Sequence, residues 1–217
     1  MKATISIQRY NPETDSEPRW VDYHVPMQSG STVMECLNYI YDNEDSTLAF
    51  RQGCRFNSCG LCALMVNNKP QMACAAKLRD QVKIAPLKGM NVIRDLVVDR
   101  TAYFNMLREL QLYIPEQEKT SIPAKIIEPQ NRVELLQCVE CLACNSTCEK
   151  FIKGGEMFAG PYLFVKLAQL HLDPRNDIDR KSQAVKLGLD KCVDCGKCRC
   201  INGINIQKLA IELLRIN

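Results

Sequence analysis

The sequence predicts an α+β fold, in which a small N-terminal unit of strands and one helix precedes a region that is mostly helical. Apolar and polar residues alternate in short segments before residue 90, and apolar residues recur at helical spacing near the end of the chain. Twelve of the thirteen cysteines lie in three short runs, one before residue 90 and two after it. The runs therefore divide between the two regions.

The first strands and the first helix have clear local signals. Residues 2–10 alternate in period two and predict a strand, and residues 20–25 predict its hairpin partner. Thr32 and Glu35 form a capping-box pattern, which predicts a helix that begins near Thr32. Two further strand regions are predicted: a hairpin from residues 63–66 through the turn Asn67–Asn68 to Cys74, and a short strand at residues 81–85.

The second region begins after a change of character near residue 90. Residues 95–110 are predicted to be helical, and residues 115–130, which contain three prolines, are predicted to form an extended connection. We place the domain boundary after residue 104, which gives domains of residues 1–104 and 105–217. An apolar stripe near the end of the chain predicts a helix packed into the core: Ile206, Leu209, Ala210, Leu213 and Leu214.

Composition and charge narrow the functional class. The net charge of +3 comes from scattered basic residues, which gives no electrostatic case for binding nucleic acid. A transmembrane segment of its own is not expected, because the chain lacks a stretch of about 18 apolar residues. The first ten residues lack the apolar core of a signal peptide. We therefore expect a cytoplasmic protein with reduced thiols.

The three cysteine runs have distinct spacings. The first has the Cys-x4-Cys-x2-Cys spacing of plant-type [2Fe–2S] ferredoxins, and a fourth cysteine follows after eleven residues: Cys54, Cys59, Cys62 and Cys74. The second has the spacing of bacterial cubane ferredoxins: Cys138, Cys141, Cys144 and Cys148. The third begins in the same way but closes after a single residue: Cys192, Cys195, Cys198 and Cys200.

Disulfide bonds and structural zinc are two other uses of these cysteines, and both agree less well with the sequence. A disulfide framework is typical of secreted chains with an even number of cysteines, whereas this chain has thirteen and no export signal. Structural zinc commonly takes two Cys-x2-Cys pairs or histidines, and neither His24 nor His171 lies in a cysteine run. Iron–sulfur clusters are therefore predicted, with iron bound through these cysteines. Cys36 lies outside the runs and is expected to be a small buried residue.

The ligands of the two later clusters follow from cubane ferredoxins, in which the fourth cysteine of a run crosses to the other cluster. In an extended stretch, Cys198 and Cys200 would point in opposite directions, which suits one ligand for each cluster. We therefore assign Cys200 to the second cluster, with Cys138, Cys141 and Cys144. The third cluster takes Cys148, Cys192, Cys195 and Cys198. It is expected to be [4Fe–4S], with [3Fe–4S] and one spare thiol as the alternative.

Longer segments carry a resemblance to a known family. Together with the cysteine runs, LAFRQGCRFNSCGLCALMVNNKPQMAC, APLKGMNVIRDLVVDRTAYF, FAGPYL and LDPRND resemble, in order and spacing, the iron–sulfur subunits of succinate dehydrogenases and fumarate reductases. The resemblance covers nearly the whole chain. It implies a β-grasp [2Fe–2S] ferredoxin domain followed by an all-α helical ferredoxin domain. It also implies that Cys138, Cys141, Cys144 and Cys200 hold a [4Fe–4S] cluster.

The function implied by the resemblance is electron transfer. Members of the family relay electrons between an FAD-containing flavoprotein subunit, which interconverts succinate and fumarate, and an electron partner, often a membrane anchor that can hold haem b. The organic chemistry belongs to the flavin. We therefore expect no catalytic residue and no substrate site in this chain, and a place at the cytoplasmic face of the membrane within a complex.

Departures from the family pattern lie around the third cluster. Proline usually follows the fourth cysteine of the middle run and the last cysteine, where this chain has Glu149 and Ile201. Many quinone-reducing members have a Trp pair and a His where this chain has Ile152, Lys153 and Val193. Two alternatives therefore stay open. One is a soluble flavoprotein reductase complex with a thiol/disulfide or ferredoxin-like partner, and the other is a free-standing ferredoxin-like carrier.

Overall fold

A computed structural model of the chain describes residues 2–114, 127–154 and 158–215. Internal contacts divide the chain into two compact units. The first comprises Met1–Asp99 with Val139–Thr147, and the second comprises Arg100–Cys138 with Cys148–Asn217. The segment that carries Cys141 and Cys144 thus groups with the N-terminal unit, whereas the prediction from sequence had a single boundary after residue 104.

The first unit is built on a five-stranded mixed sheet in the order β2-β1-β5-β3-β4. Strand β1 pairs antiparallel with β2 and parallel with β5, and β3 pairs antiparallel with both β4 and β5. This is the β-grasp arrangement that the fold prediction expected, and the predicted strands are confirmed. The strand bounds are Lys2–Arg9 (β1), Arg19–Pro26 (β2), Ala63–Val66 (β3), Lys69–Met72 (β4) and Gln81–Ala85 (β5).

Local sequence accounts for the first helix and for the central hairpin. Helix α1 (Val33–Asn43) begins with a complete capping box. The amide of Glu35 donates to the Thr32 hydroxyl at 3.2 Å, and the amide of Thr32 donates to the Glu35 carboxylate at 2.7 Å. The turn between β3 and β4 uses Asn67 and Asn68, both with positive φ, as a two-residue type I′ hairpin turn requires.

A small hairpin and a helix replace the single helix predicted for residues 95–110. Strands β6 (Val92–Arg94) and β7 (Val97–Val98) form the hairpin, and helix α2 spans Thr101–Glu109. The prediction was therefore wrong for residues 95–100. The reason is tertiary, because Asp95 lies in the hairpin turn with a φ of 46° and is buried.

The buried Asp95 carboxylate organises three separate parts of the first unit. It accepts hydrogen bonds from the Arg9 guanidinium at 2.9 Å and from the backbone amides of Tyr10 at 2.9 Å and Ala49 at 2.8 Å. Arg9 also donates to the hydroxyl of Thr47 at 2.9 Å. These bonds tie the end of β1, the segment after α1 and the hairpin together, which outweighs the helical preference of the local sequence.

Every element of regular secondary structure in the described part of the second unit is a helix, and loops join these helices. Helix α5 lies at its centre, contacts α3, α6 and the last helical segment, and buries most of its length. Pro161 opens α5 at its first turn, where a missing N–H costs no hydrogen bond. The remaining helices are short, and the bounds of the set are α3 (Gln130–Leu135), α4 (Glu149–Lys153), α5 (Pro161–His171) and α6 (Arg180–Lys186).

The last helical segment packs against α5 and α6. It is a π-helix over Gln207–Glu212 that continues as the short helix α7 (Leu213–Arg215). Four residues of the predicted apolar stripe are buried, which confirms core packing: Ile206, Leu209, Ala210 and Leu214. The wider π turn shifts the phase, so Ile211 is buried and Leu213 is half-buried.

The extended connection predicted for residues 115–130 lies mainly in residues 115–126, which are outside the described part of the chain. Among the described residues, the structure contains no helix that is both long enough and apolar enough to span a membrane.

Replacing Asp95 with alanine is expected to destabilise the first unit by about 1–3 kcal/mol, because the amides of Tyr10 and Ala49 lose their acceptor while Arg9 keeps its ion pair with Asp45. Amide hydrogen exchange should show the loss as faster exchange at Tyr10 and Ala49. Asp15→Ala is the matched control, since its ion pair with the exposed Arg19 is screened by solvent. Equal protection of both amides in Asp95→Ala and Asp15→Ala would contradict the assigned role.

Candidate iron–sulfur sites

The first cysteine set lies on the loop between α1 and β3 and at the end of the β3–β4 hairpin. Cys54, Cys59 and Cys62 are on the loop, and Cys74 follows β4. The backbone turns left-handed at Arg55, Asn57 and Gly60, which curls the loop between the cysteines. The residues therefore take a path that neither a helix nor a strand allows.

Backbone amides of this loop point at the sulfur atoms. The Cys54 sulfur accepts from the amides of Ser58 at 3.2 Å and Cys59 at 3.3 Å, and the Cys74 sulfur accepts from the amide of Asn57 at 3.3 Å. Hydrogen bonds from the amides of Phe56 and Ser58 lower the pKa of the Cys54 thiol to about 7. Such donors stabilise a thiolate and influence the potential of a cluster that the thiolate binds.

Cys62 is the buried member of the first set. Burial raises the pKa of the Cys62 thiol to about 11, and the nearby sulfur atoms of Cys74 and Cys59 add to the effect. The structure therefore brings the four predicted residues of the first set together. Phe56 lies on the outer side of the loop, with 74% of its surface exposed.

The middle run has a left-handed residue on each side of its second cysteine. These are Glu140 and Leu142, which flank Cys141. The short 3-10 turn that follows, Asn145–Thr147, contacts β4 within the first unit. The hydroxyl of Ser146 donates to the Lys88 carbonyl at 3.0 Å. The segment with Cys141 and Cys144 is thus held by the ferredoxin-like unit, while Cys138 and Cys148 belong to the second unit.

The third run has the same backbone feature, a left-handed residue on each side of its second cysteine. Asp194 and Gly196 are left-handed and flank Cys195, as Glu140 and Leu142 flank the central cysteine of the middle run. The run begins in a 3-10 turn, Leu189–Cys192, which buries the first cysteine. The Cys200 sulfur accepts a hydrogen bond from the amide of Asn202 at 3.4 Å.

Thiols from two parts of the second unit meet at the third run. Burial raises the pKa of the Cys192 thiol to about 12, and the nearby Cys198, Cys148 and Cys195 thiols contribute. Burial likewise raises the pKa of Cys198 to about 11, with contributions from Cys148 and Cys195. The four residues that the sequence assigned to the third cluster therefore lie close together.

The first and third sets offer only sulfur donors. Both lie on loops whose backbone turns left-handed beside the cysteines. Thiolates on such loops are the ligands that iron–sulfur clusters take in proteins. Within residues 2–114, 127–154 and 158–215, no three His, Cys, Asp or Glu side chains converge closely enough to hold a single metal ion.

Cys36 behaves as expected of a core residue. It is buried in α1, and burial raises the pKa of its thiol to about 12.

The left-handed residues beside the cysteines were not predicted from the sequence. Glycine at positions 60 and 196 was a usable signal. The residue types Glu140, Leu142 and Asp194 provided none.

Comparison with known proteins supports the same chemistry. Residues 4–105 match the family described as "2Fe-2S iron-sulfur cluster binding domain". The fumarate reductase iron-sulfur subunit of Haemophilus influenzae is 32% identical over 89% of this chain and 84% of that protein. The chain belongs to the family of fumarate reductase and succinate dehydrogenase iron–sulfur subunits. It is therefore an iron–sulfur protein.

Two further comparisons define how far the similarity extends. A chain of the solved "Mycobacterium smegmatis Sdh1 complex in the apo form" matches 99% of this chain and 94% of its own length, with a TM-score of 0.86 and 26% identity. A subunit of the fumarate reductase (CoM/CoB) of Methanothermobacter marburgensis is 32% identical over 97% of this chain but only 43% of that protein. The chain thus spans less than half the length of that curated relative.

Replacing Cys74 with alanine is expected to abolish the [2Fe–2S] signal, because that residue completes the first donor set from the hairpin. Electron paramagnetic resonance of the reduced protein, with iron and sulfide analysis, measures the loss. Cys36→Ala is the matched control and should keep the full signal, since Cys36 lies in the core of α1. A Cys74→Ala protein with an unchanged [2Fe–2S] signal would contradict this site.

Proposed function

We propose that the chain is the electron-transfer subunit of a fumarate reductase or succinate dehydrogenase type complex. The observation that carries the proposal is the coexistence, in one member of this family, of a [2Fe–2S]-type donor set with two cubane-type runs. Electrons pass between a flavoprotein subunit with FAD, the first cluster, the second and the third. The reaction is fumarate reduction or succinate oxidation, carried out at the flavin.

The proposed ligand assignment follows the cysteine runs. Cys54, Cys59, Cys62 and Cys74 hold one [2Fe–2S] cluster, which is supported by their grouping on one curled loop and its neighbouring hairpin. Cys138, Cys141, Cys144 and Cys200 hold one [4Fe–4S] cluster, an assignment that rests on spacing and family resemblance. Cys148, Cys192, Cys195 and Cys198 hold the third, which is supported by the mutual effects of their thiols.

The third cluster is proposed to be [4Fe–4S] rather than [3Fe–4S]. A complete cubane needs a fourth thiolate, and Cys195 supplies one where the three-iron centre of the family has three cysteines. Its position supports this role, because Cys195 contributes to the raised pKa values of both Cys192 and Cys198. It therefore lies within the group and not outside it.

The chain's own residues position the redox centres. When bound, the clusters supply one-electron chemistry that amino-acid side chains lack. The amides of Ser58 and Cys59 donate to the Cys54 sulfur and offset negative charge there. Near the third run, Lys150 lowers the pKa of Cys192 and Arg199 lowers that of Cys198, against the larger effect of burial. No residue of the chain is assigned to acid–base or nucleophilic catalysis.

The electron partner at the third cluster has two candidates. One is a membrane anchor, with or without haem b, which would place the complex at the cytoplasmic face of the membrane. The other is a soluble thiol/disulfide or ferredoxin-like partner. Ile152 and Val193 stand where quinone-reducing relatives have polar or aromatic groups, and both are partly exposed. The M. marburgensis relative is named for CoM/CoB rather than for a quinone. These observations are the reason to keep the soluble partner as the alternative to the membrane anchor.

Purification of the native complex tests the proposed function. An FAD-containing polypeptide is expected to copurify with the chain, and the complex should reduce fumarate with a reduced dye. Menaquinol oxidation would favour the membrane anchor, whereas activity with a soluble thiol donor and no anchor would favour the second candidate. A chain that purifies alone, without flavin or activity, would support a free-standing carrier.

Replacing Cys195 with alanine is expected to convert the third cluster to [3Fe–4S], because one iron loses its protein ligand. The oxidised variant should then give a [3Fe–4S] resonance that the wild type lacks. Cys36→Ala serves as the control with an unchanged spectrum. A wild-type [3Fe–4S] signal of one spin per chain that persists after iron reconstitution would overturn the [4Fe–4S] proposal.

A further inference from the structure

We infer that Gly60 is a positioning residue that sets the separation of the first two clusters. It does so by allowing the [2Fe–2S] loop to contact the backbone of the middle cysteine run. The inference rests on the proposed function, because it requires that both cysteine sets hold clusters. The contact that carries it lies within the first unit, between Gly60 and the segment with Cys141 and Cys144.

The contact at Gly60 is too close for any side chain. Gly60 is buried and has a φ of +70°. A Cβ atom built on it would lie 2.0 Å from the Val139 carbonyl oxygen and 3.1 Å from the Cys141 amide nitrogen. Real Cβ contacts essentially never fall below 3.0 Å, so a side chain here would require a shift of about 1 Å. The obstacle is backbone, which cannot move aside as a flexible side chain can.

The two segments in contact both carry proposed ligands. Gly60 directly follows Cys59, and Val139 lies two residues before Cys141. The backbone of one ligand loop therefore touches the backbone of the other, with no side chain between them. A displacement at this point changes the separation between the two donor sets.

A second contact holds the middle segment in the same unit. Ser146 donates to the Lys88 carbonyl, and the 3-10 turn at Asn145–Thr147 contacts β4. The segment is thus anchored at its far end by a hydrogen bond and at its near end by the approach to Gly60. The first unit therefore positions Cys141 and Cys144 relative to the [2Fe–2S] loop.

Other glycines show that this constraint is local. A Cβ on Gly53, in the same loop, would meet Cys59 Sγ and Leu61 Cδ1, both at 3.0 Å, and so would disturb only the loop itself. Gly30 has a φ of +87° with nothing within 4 Å of its Cβ position. Gly30→Ala therefore reproduces the left-handed strain without the collision, which makes it the matched control.

Magnetic coupling between the reduced clusters measures their separation. In fully reduced protein, both [2Fe–2S] and [4Fe–4S] clusters are paramagnetic, and their dipolar interaction weakens with the cube of the distance. The experiment compares the microwave power saturation of the [2Fe–2S] signal in two samples of each variant. One is poised so that only the first cluster is reduced, and the other is fully reduced.

The expected result is a smaller relaxation enhancement in Gly60→Ala with its [2Fe–2S] signal retained, and wild-type enhancement in Gly30→Ala. Gly60→Asn should behave like Gly60→Ala, because asparagine tolerates a positive φ but keeps the Cβ. Wild-type enhancement in both Gly60 variants would overturn the inference, as would rescue by asparagine. Wild-type protein without either cluster signal would count against the proposed function instead.

If the Gly60 variants do not fold or bind their clusters, Ser146→Ala provides a second test of the inference. It removes the hydrogen bond to Lys88 and should reduce the enhancement by a smaller amount. Thr147→Val is its control, since the Thr147 hydroxyl donates to the Cys144 carbonyl inside the segment at 2.9 Å. Equal enhancement in wild type, Ser146→Ala and Thr147→Val would overturn the inference.

Discussion

The cysteine loops must turn their backbone into the left-handed region, because cysteines close in sequence have to face one inorganic core. Glu140 and Leu142 flank the central cysteine of the middle run, and Asp194 and Gly196 flank that of the third. A non-glycine residue in this conformation costs about 1–2 kcal/mol. Neighbouring regular structure therefore has to hold each loop in place.

In the first unit, a sheet and buried polar contacts hold the cysteine loop in place. Its loop connects α1 to β3 and contacts Cys74, which follows β4, and amides of the loop point at sulfur atoms. Asp95 joins the end of β1, the segment after α1 and the following hairpin. Buried polar groups of this kind are stable only when hydrogen-bonded, so they also restrict the backbone to one arrangement.

In the second unit, packed helices hold the cysteine loops in place. Helix α5 and the π-helical segment bury a shared apolar surface. Short 3-10 and α-helical turns place Cys192 and Cys148 at their ends, which brings buried thiols together from distant parts of the chain. Burial keeps water away from these sulfur atoms, and nearby cations oppose the resulting rise in pKa.

The sequence by itself determined the strands of the five-stranded sheet, the capping box, the Asn67–Asn68 turn and the three cysteine runs, because each depends on residues close in the chain. It did not determine the hairpin at residues 92–98, since Asp95 takes its conformation from partners as distant as Arg9. It also did not reveal that residues 139–147 belong to the first unit. That placement comes from contacts between residues far apart in sequence, such as Gly60 with Val139 and Ser146 with Lys88, which only the tertiary structure specifies.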